Sequence, residues 1–281
     1  MSSNGTFSIG GDLEVRRLGF GAMRITGPRI LGPPEDPEAA RRLLRRVVDL
    51  GVNLIDTADS YGPEVSESLI AEALHPYPEG LVIATKGGLR RTASGDWPRD
   101  GRPERLKECC EASLRRLRVD RIDLYQLHAP DPQIPLEDSL GALKELQDEG
   151  KVRHVGVSNV SPSELARARA IVDVVTVQNR YSVADRHSEE VLEECEREGI
   201  GFIPWYPLAT GDLARPGGPL DELARTHGVT PGQLALAWLL ARSPVMLPIP
   251  GTASVDHLEE NVAAADIELD SDELERLAEA A

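Results

Sequence analysis

The chain has 281 residues, 41% of them hydrophobic, which is enough for one or two domains with a large core. Its 31 Lys and Arg residues stand against 47 Asp and Glu residues, and the formal net charge of -16 argues against nucleic acid as a partner. Cys109, Cys110 and Cys195 lack metal-ligand spacing and predict no disulfide framework. With no apolar leader or membrane-length run, the sequence predicts a cytoplasmic protein without membrane contact.

Eight short apolar runs predict eight β-strands. They span residues 19–25, 53–59, 81–88, 123–129, 152–159, 174–181, 201–207 and 245–251. Continuous apolar runs are typical of parallel strands buried on both faces.

Longer amphipathic segments alternate with these strands. They predict helices at residues 36–51, 64–74, 102–117, 136–150, 161–172, 188–199, 230–243 and 254–265. The alternation predicts an α/β fold, a single (β/α)8 TIM barrel over residues 1–281. A hairpin around Gly10 and Gly11 is predicted to cap the bottom of the barrel, and residues 270–280 to form an extra C-terminal helix.

Four polar residues follow one another at the predicted carboxyl ends of the strands, where barrels of this kind place their active sites. Asp56 and Tyr61 follow the second strand, Lys86 lies on the third and His128 ends the fourth. A lysine ammonium would favour the phenolate and lower the tyrosine pKa, and an aspartate would keep the lysine charged. Such a group can protonate the alkoxide that develops when a hydride attacks a carbonyl carbon.

Each residue alone has a structural interpretation. Asp56 could cap a turn, Tyr61 could belong to an ordinary loop, Lys86 could be a surface lysine and His128 a core histidine. Their arrangement at consecutive strand ends favours the functional interpretation.

The segments that carry these residues resemble those of the aldo-keto reductases. "NLIDTADSYG", "IATKGG" and "DLYQLHAP" are similar to that family's catalytic segments. "VGVSN", "VQNRYS" and "PWYPLA" resemble its nicotinamide-contacting strands, and "LPIPGT" with "HLEEN" resembles the segment that holds the adenosine end. Within the family, the sequence is most similar to the bacterial pyridoxal reductase-like branch.

The resemblance implies NADPH-dependent reduction of an aldehyde or ketone to an alcohol. It makes Tyr61 the general acid, Lys86 and Asp56 the pair that tunes it, and His128 the residue that orients the carbonyl. The cofactor contacts that it implies are Gly21, Ala22, Met23, Asp56, Ser158, Asn159, Gln178, Trp205, Tyr206, Pro207, Leu208, Pro250, Gly251, Thr252, Ser254, His257, Glu260 and Asn261.

The stretch "PGTASVDHLEEN" departs from the NADPH-preferring pattern, because it has no Lys or Arg to meet the 2′-phosphate. The resemblance favours NADPH, and NADH stays open. "GFGAMR" lacks the third glycine of the Rossmann motif and opens no predicted helix, so it predicts only turn geometry.

Substrate specificity is expected from the loops at residues 88–102, 129–137 and 207–219. Trp97 and Trp205 are the candidate substrate contacts. Four arginines make the first loop basic and suggest either an anionic substrate or contact with the cofactor phosphates; they are Arg90, Arg91, Arg99 and Arg102.

Two other functions fit parts of the pattern. A nicotinamide-binding regulatory subunit with little turnover would keep the cofactor site. A metal-dependent hydrolase could use Asp56 and His128, but no other predicted strand end offers a third ligand, so no metal is predicted.

Overall fold

The structure, a computed structural model, describes residues 5–208 and 216–279. Its strands are β1 (Thr6–Ile9), β2 (Leu13–Arg16), β3 (Phe20–Gly21), β4 (Leu54–Asp56), β5 (Val82–Gly87), β6 (Ile122–Leu127), β7 (Val152–Ser158), β8 (Val174–Arg180) and β9 (Gly201–Trp205). Its α-helices are α1 (Pro37–Asp49), α2 (Val65–Leu74), α3 (Pro103–Leu117), α4 (Leu136–Asp148), α5 (Pro162–Arg169), α6 (Glu189–Glu198), α7 (Pro219–His227), α8 (Pro231–Arg242), α9 (Val255–Ala263) and α10 (Ser271–Glu279). Strands β3 to β9 form one parallel sheet in chain order.

The segment 245–251 closes this sheet, although it is not the regular eighth strand that the sequence predicted. Pro248 and Pro250 have no N–H group, so this segment cannot form a continuous ladder. On the β9 side, Phe202 N–H donates to the Val245 carbonyl at 2.8 Å and Leu247 N–H donates to the Phe202 carbonyl at 2.7 Å. On the β3 side, Gly19 and Gly21 N–H donate to the carbonyls of the two prolines at 2.9 and 3.4 Å. Both edges of the sheet therefore meet the same segment, and the predicted α/β barrel is confirmed.

The predicted N-terminal hairpin is present and covers the amino ends of the strands. Strands β1 and β2 pair antiparallel, and Ile9, Leu13 and Val15 are buried with the apolar side chains of the barrel interior. Asp12 in the turn accepts from the side chains of Arg153 at 2.7 Å and His154 at 2.6 Å, near the start of β7. The hairpin is thus attached to the end of the barrel opposite the candidate site.

Two of the strands are much shorter than predicted. Strand β3 ends at Gly21, and a 3-10 helix at Ala22–Ile25 replaces the rest of the predicted strand 19–25. A Cβ atom on Gly21 would lie 2.6 Å from the Ile249 carbonyl oxygen, so the chain can pass the closing segment this closely only without a side chain. Strand β4 ends at Asp56, before the loop that carries Tyr61.

Helix α7 was not predicted, although its apolar residues Leu220, Leu223 and Ala224 have helical spacing and are buried. The predicted C-terminal helix is confirmed as α10. None of the helices in the described ranges is long and apolar enough to cross a membrane.

Side chains along a β-strand point alternately to its two faces, and this alternation positions the candidate site. Leu54, Ala84 and Leu124 belong to the cluster that fills the barrel interior. Asp56, Lys86 and Gln126 stand two residues further along the same strands, so they share the interior face nearer the carboxyl ends.

Candidate active site

A buried ion pair joins β4 and β5. Lys86 Nζ lies 2.6 Å from Asp56 Oδ1 and also donates to the Thr57 carbonyl at 2.8 Å. The exposed fractions of the two charged side chains are 0% and 2%. Burial lowers the pKa of Lys86, but the charge of Asp56 and the neighbouring Tyr61 outweigh it, and the pKa is raised overall. Lys86 therefore stays an ammonium despite its burial.

Two amide side chains hold the other oxygen of Asp56. Gln178 Nε2 donates to Oδ2 at 2.8 Å, and Gln126 Nε2 donates to the same atom at 3.2 Å. Because both carboxylate oxygens accept hydrogen bonds, the buried charge is compensated. Gln126 was missed in the sequence, although it lies two residues before His128 on the same face of β6.

The Tyr61 hydroxyl lies 3.4 Å from Lys86 Nζ. Burial raises the pKa of Tyr61, the ammonium of Lys86 lowers it, and Asp56 raises it again; the net direction is upward. The expectation of a pKa below the usual value is therefore wrong for this state of the protein. Burial disfavours the phenolate more than one ammonium stabilises it, so Tyr61 keeps its proton at neutral pH.

The His128 ring stands edge-on to the Tyr61 ring, with centroids 5.9 Å apart and an interplanar angle of 82°. Burial, and then the charge of Lys86, lower the pKa of His128 well below 6.5, so the imidazole is neutral. Its Nδ1 atom is buried and has no hydrogen-bond partner within the described residues. A buried polar atom without a partner is unusual and is a frequent feature of reactive sites.

A second cluster at the ends of β7, β8 and β9 faces this group. Asn159 Nδ2 donates to the His128 carbonyl and to Ser158 Oγ, at 3.0 Å in each case. Trp205 Nε1 donates to Asn159 Oδ1 at 3.0 Å, and Ser158 Oγ donates to the Gln178 carbonyl at 2.7 Å. Asn159 has a φ of 60°, which asparagine tolerates better than most residues. These bonds connect four strand ends.

The two clusters line one cleft of about 490 Å³. Its predicted members are Gly21, Met23, Asp56, Tyr61, Trp97, His128, Ser158, Asn159, Gln178, Trp205, Tyr206, Pro207, Leu208, Pro250 and Gly251. Arg24, Ile30, Leu89 and Ile249 complete the lining and were not predicted. At one end of the cleft the Gly21 and Gly251 backbones meet, where a Cβ on Gly251 would lie 2.8 Å from the Gly21 carbonyl oxygen.

Several predicted cofactor contacts lie outside this lining. The Ala22 side chain is fully buried, and the Ala22 carbonyl accepts from Ser66 Oγ at 3.3 Å. Ser254 caps α9, with its Oγ 3.4 Å from the His257 N–H. The other four lie between the closing segment and the end of α9; they are Thr252, His257, Glu260 and Asn261. Thr252 and Asn261 are largely buried, and His257 is exposed.

The arginines of the 88–102 loop all have partners within the protein. These are the Trp97 ring for Arg91, the Pro130 carbonyl for Arg99, and the Asp100 carboxylate for Arg90 and Arg102. Their charges are used to hold the loop, and none of the four lines the cleft. The suggestion of an anionic substrate therefore has no support from this loop. Of the predicted loop at 207–219, residues 209–215 lie outside the described residues.

Comparison with known proteins identifies the family. Residues 17–281 match the model of the aldo/keto reductase family. The chain belongs to this family. In the described part of the chain no group of three or more His, Cys, Asp or Glu could hold a metal ion.

Full-length relatives agree with this assignment. The chain is 51% identical to an uncharacterized oxidoreductase of Schizosaccharomyces pombe, over 99% of this chain and 90% of that protein. It is 43% identical to pyridoxine 4-dehydrogenase of Escherichia coli, over 99% of this chain and 98% of that protein. The crystal structure of a Klebsiella pneumoniae aldo-keto reductase in complex with NADPH is 28% identical, with a TM-score of 0.82 over 98% of this chain and 94% of that one. This aldo/keto reductase is an NAD(P)H-dependent oxidoreductase.

Proposed function

We propose that this aldo/keto reductase uses NADPH to reduce an uncharged aromatic aldehyde of the pyridoxal type, with Tyr61 as the proton donor. The observation that supports the proposal most directly is the buried Asp56–Lys86–Tyr61 chain beside a neutral His128. These groups meet at one end of a cleft that extends to Gly251.

The cleft fits a nicotinamide cofactor. Gly21 and Gly251 pack backbone to backbone and both line the cleft without a side chain, and Trp205 offers an aromatic face near Ser158 and Asn159. NADPH supplies the hydride for the carbonyl carbon when it is bound. The amides and hydroxyls of the second cluster would hold the ring at its carboxamide, and residues of α9 would hold the adenosine end.

The proton comes from the Tyr61 hydroxyl. As negative charge develops on the carbonyl oxygen, the O–H bond of Tyr61 breaks and its proton moves to that oxygen. The ammonium of Lys86, 3.4 Å away, stabilises the phenolate left behind, and Asp56 keeps the ammonium in place. The neutral imidazole of His128 carries one N–H that can donate to the same oxygen and fix its position.

The cleft walls indicate the substrate class. Near Tyr61 they are mainly apolar and aromatic, with Trp97 edge-on to Tyr61 at 6.5 Å and Leu89 and Ile30 beside it. The loop arginines are engaged elsewhere, so this end of the cleft offers little to a phosphate group. An uncharged aromatic aldehyde fits these walls, and the pyridoxine 4-dehydrogenase relative acts on a ring of this kind, as its name states.

The test is a steady-state screen with NADPH and with NADH against pyridoxal, pyridoxal 5′-phosphate and 4-nitrobenzaldehyde. We expect turnover of pyridoxal and 4-nitrobenzaldehyde with NADPH, and little turnover of the phosphorylated aldehyde. The variant Tyr61→Phe should lose about 10²- to 10⁴-fold in kcat, the usual contribution of a general acid. Full activity of that variant would refute the assignment of Tyr61. Tight NADPH binding with negligible turnover of every aldehyde would instead favour a regulatory subunit.

A further inference from the structure

A second buried carboxyl group belongs to the loop that carries Tyr61. Asp59 is 7% exposed, and its Oδ1 atom is buried without a hydrogen-bond partner within the described residues. The Asp59 backbone fixes the loop, because its N–H donates to the Lys86 carbonyl at 3.3 Å and its carbonyl accepts from Glu64 N–H at 2.8 Å. Asp59 does not line the cleft and takes no part in the Asp56–Lys86 ion pair.

Groups from three neighbouring elements face this carboxyl group. They are Glu67 on α2, Arg105, Cys109 and Arg116 on α3, and Tyr125 on β6. Burial raises the pKa of Asp59 to about 7, while the Cys109 thiol, acting as a hydrogen-bond donor, lowers it and Glu67 raises it. Arg105 does not compensate the carboxylate through Nε, since that atom is buried and also lacks a partner among the described residues.

The packing around Cys109 leaves the loop little freedom. A Cβ on Gly87, next to Lys86, would lie 2.1 Å from the Tyr125 hydroxyl and 3.2 Å from Cys109 Cβ. Helix α3 therefore packs directly against the end of β5, and Asp59 lies at this junction. Its negative charge also raises the pKa of Tyr61, so the two groups are coupled.

We propose that Asp59, in contact with Cys109, is a positioning residue that holds the Tyr61 loop on α3 and that slows proton donation from Tyr61 when it becomes ionised. The proposal rests on the proposed function of Tyr61. A second negative charge near the forming phenolate disfavours it, and so the reduction rate should fall as Asp59 loses its proton.

The main experiment is the pH profile of kcat/KM for pyridoxal reduction between pH 5.5 and 9. In the wild type we expect a fall of about two- to tenfold centred near pH 7, because the ionised Asp59 raises the pKa of Tyr61. In Asp59→Asn, which keeps the side-chain shape without the charge, this step should disappear. A step of unchanged size and position in Asp59→Asn overturns the proposal.

Variants of Cys109 provide an independent check. Cys109→Ala removes the donor and should move the step to higher pH, whereas Cys109→Ser keeps a donor and should not move it upward. Equal upward shifts in both variants would show a packing effect and overturn the proposal. Asp123→Asn is the matched control, because this partly buried carboxyl lies near the amino end of β6, accepts from Ile83 N–H at 3.3 Å and also has a raised pKa; the step should persist in it.

A direct readout separates this proposal from the proposed function. Carbon-13 NMR of aspartate carboxyl groups, compared between wild type and Asp59→Asn, should assign one carboxyl group that titrates near pH 7. This measurement needs no turnover. If no carbonyl is reduced while Asp59 titrates near pH 7, the proposed function fails and the titration of Asp59 stands; if carbonyls are reduced and Asp59 titrates near pH 4, only the present proposal fails.

Discussion

The two ends of the cleft are built differently. At the Tyr61 end, buried side chains form a charged network in which protein groups hydrogen-bond to one another. At the Gly251 end, the lining consists of main chain and the Arg24 side chain, and the capped start of α9 follows beyond it, with an exposed His257 and no Lys or Arg in residues 250–261. The comparison indicates that turnover depends on a few buried groups, whereas cofactor affinity depends on many weak contacts. Five substitutions test the contributions of these groups and of the buried carboxyls beside them.

Lys86→Met should have the largest effect. It removes the ammonium beside Tyr61 and leaves the Asp56 carboxylate buried without its cation. We expect kcat to fall by about 10²- to 10⁴-fold and the free energy of unfolding to fall by about 3–5 kcal/mol, measured by single-turnover kinetics and urea denaturation. Adding Asp56→Asn should recover stability without turnover. Recovery of turnover in the double variant would contradict the role given to Lys86.

Asp59→Asn should change the pH dependence of stability. The pKa of Asp59, about 7 in the folded protein, exceeds the ordinary aspartate value. The folded state therefore binds the proton more tightly, and stability from this group is lost as pH rises from about 4 to 7. Between pH 4 and pH 8, the difference in free energy of unfolding between the variant and the wild type should shift by about 2–4 kcal/mol in favour of the variant.

Asp100→Asn is a control for that measurement, because the pKa of Asp100 is shifted in the opposite direction to that of Asp59. Hydrogen bonds from Arg102 lower the pKa of Asp100, so its contribution to stability is present above the ordinary aspartate pKa and is lost as pH falls below it. This variant should be destabilised at both pH 8 and pH 4, and its difference from wild type should shrink only below the ordinary aspartate pKa. Thermal unfolding at both pH values distinguishes the two signs.

Ser254→Ala tests the Gly251 end. It removes the N-cap of α9 and should cost about 1 kcal/mol of stability. Because the affected N–H groups lie at the start of the helix expected to meet the cofactor, KM for NADPH should rise while kcat is retained. A matching loss of kcat would show that the two ends of the cleft are not independent.

Ala253→Lys should have the smallest effect and should favour one cofactor. Ala253 is exposed in a segment without a cation, and a lysine there would reach a 2′-phosphate through solvent. We expect KM for NADPH to fall by about two- to fivefold, as for an exposed ion pair, with no change for NADH. Ala253→Gln is the uncharged control, and an equal gain for NADH would contradict the electrostatic reason.

Much of the barrel could be predicted because strand and helix patterns repeat along the chain. The exceptions have local causes. The closing segment lost its regular ladder to Pro248 and Pro250, and residue 21 at the end of β3 must be glycine because the chain there passes the Ile249 carbonyl too closely for any side chain. The first cause is visible in the sequence, but the second depends on a contact between residues more than 200 positions apart.

The candidate site was predictable where strand order alone brings residues together, as with Asp56, Lys86 and His128. Properties that depend on burial were not predictable. The direction of the Tyr61 pKa follows from desolvation, and the roles of the loop arginines follow from partners such as Pro130 and Trp97. The buried carboxyl of Asp59 was overlooked because in the sequence it is only one more acid in "DTADSYG".

The segment 245–251, which contains two prolines and closes the barrel, is expected to affect where the sheet opens locally. Because its hydrogen bonds are interrupted, this segment is expected to separate from its neighbours before the ladders that join β5, β6 and β7 open. The same segment supplies Ile249, Pro250 and Gly251 to the wall of the cleft. A dinucleotide lying across this wall would bridge the seam, so amide protons such as those of Phe202 and Leu247 should exchange more slowly once the cleft is filled.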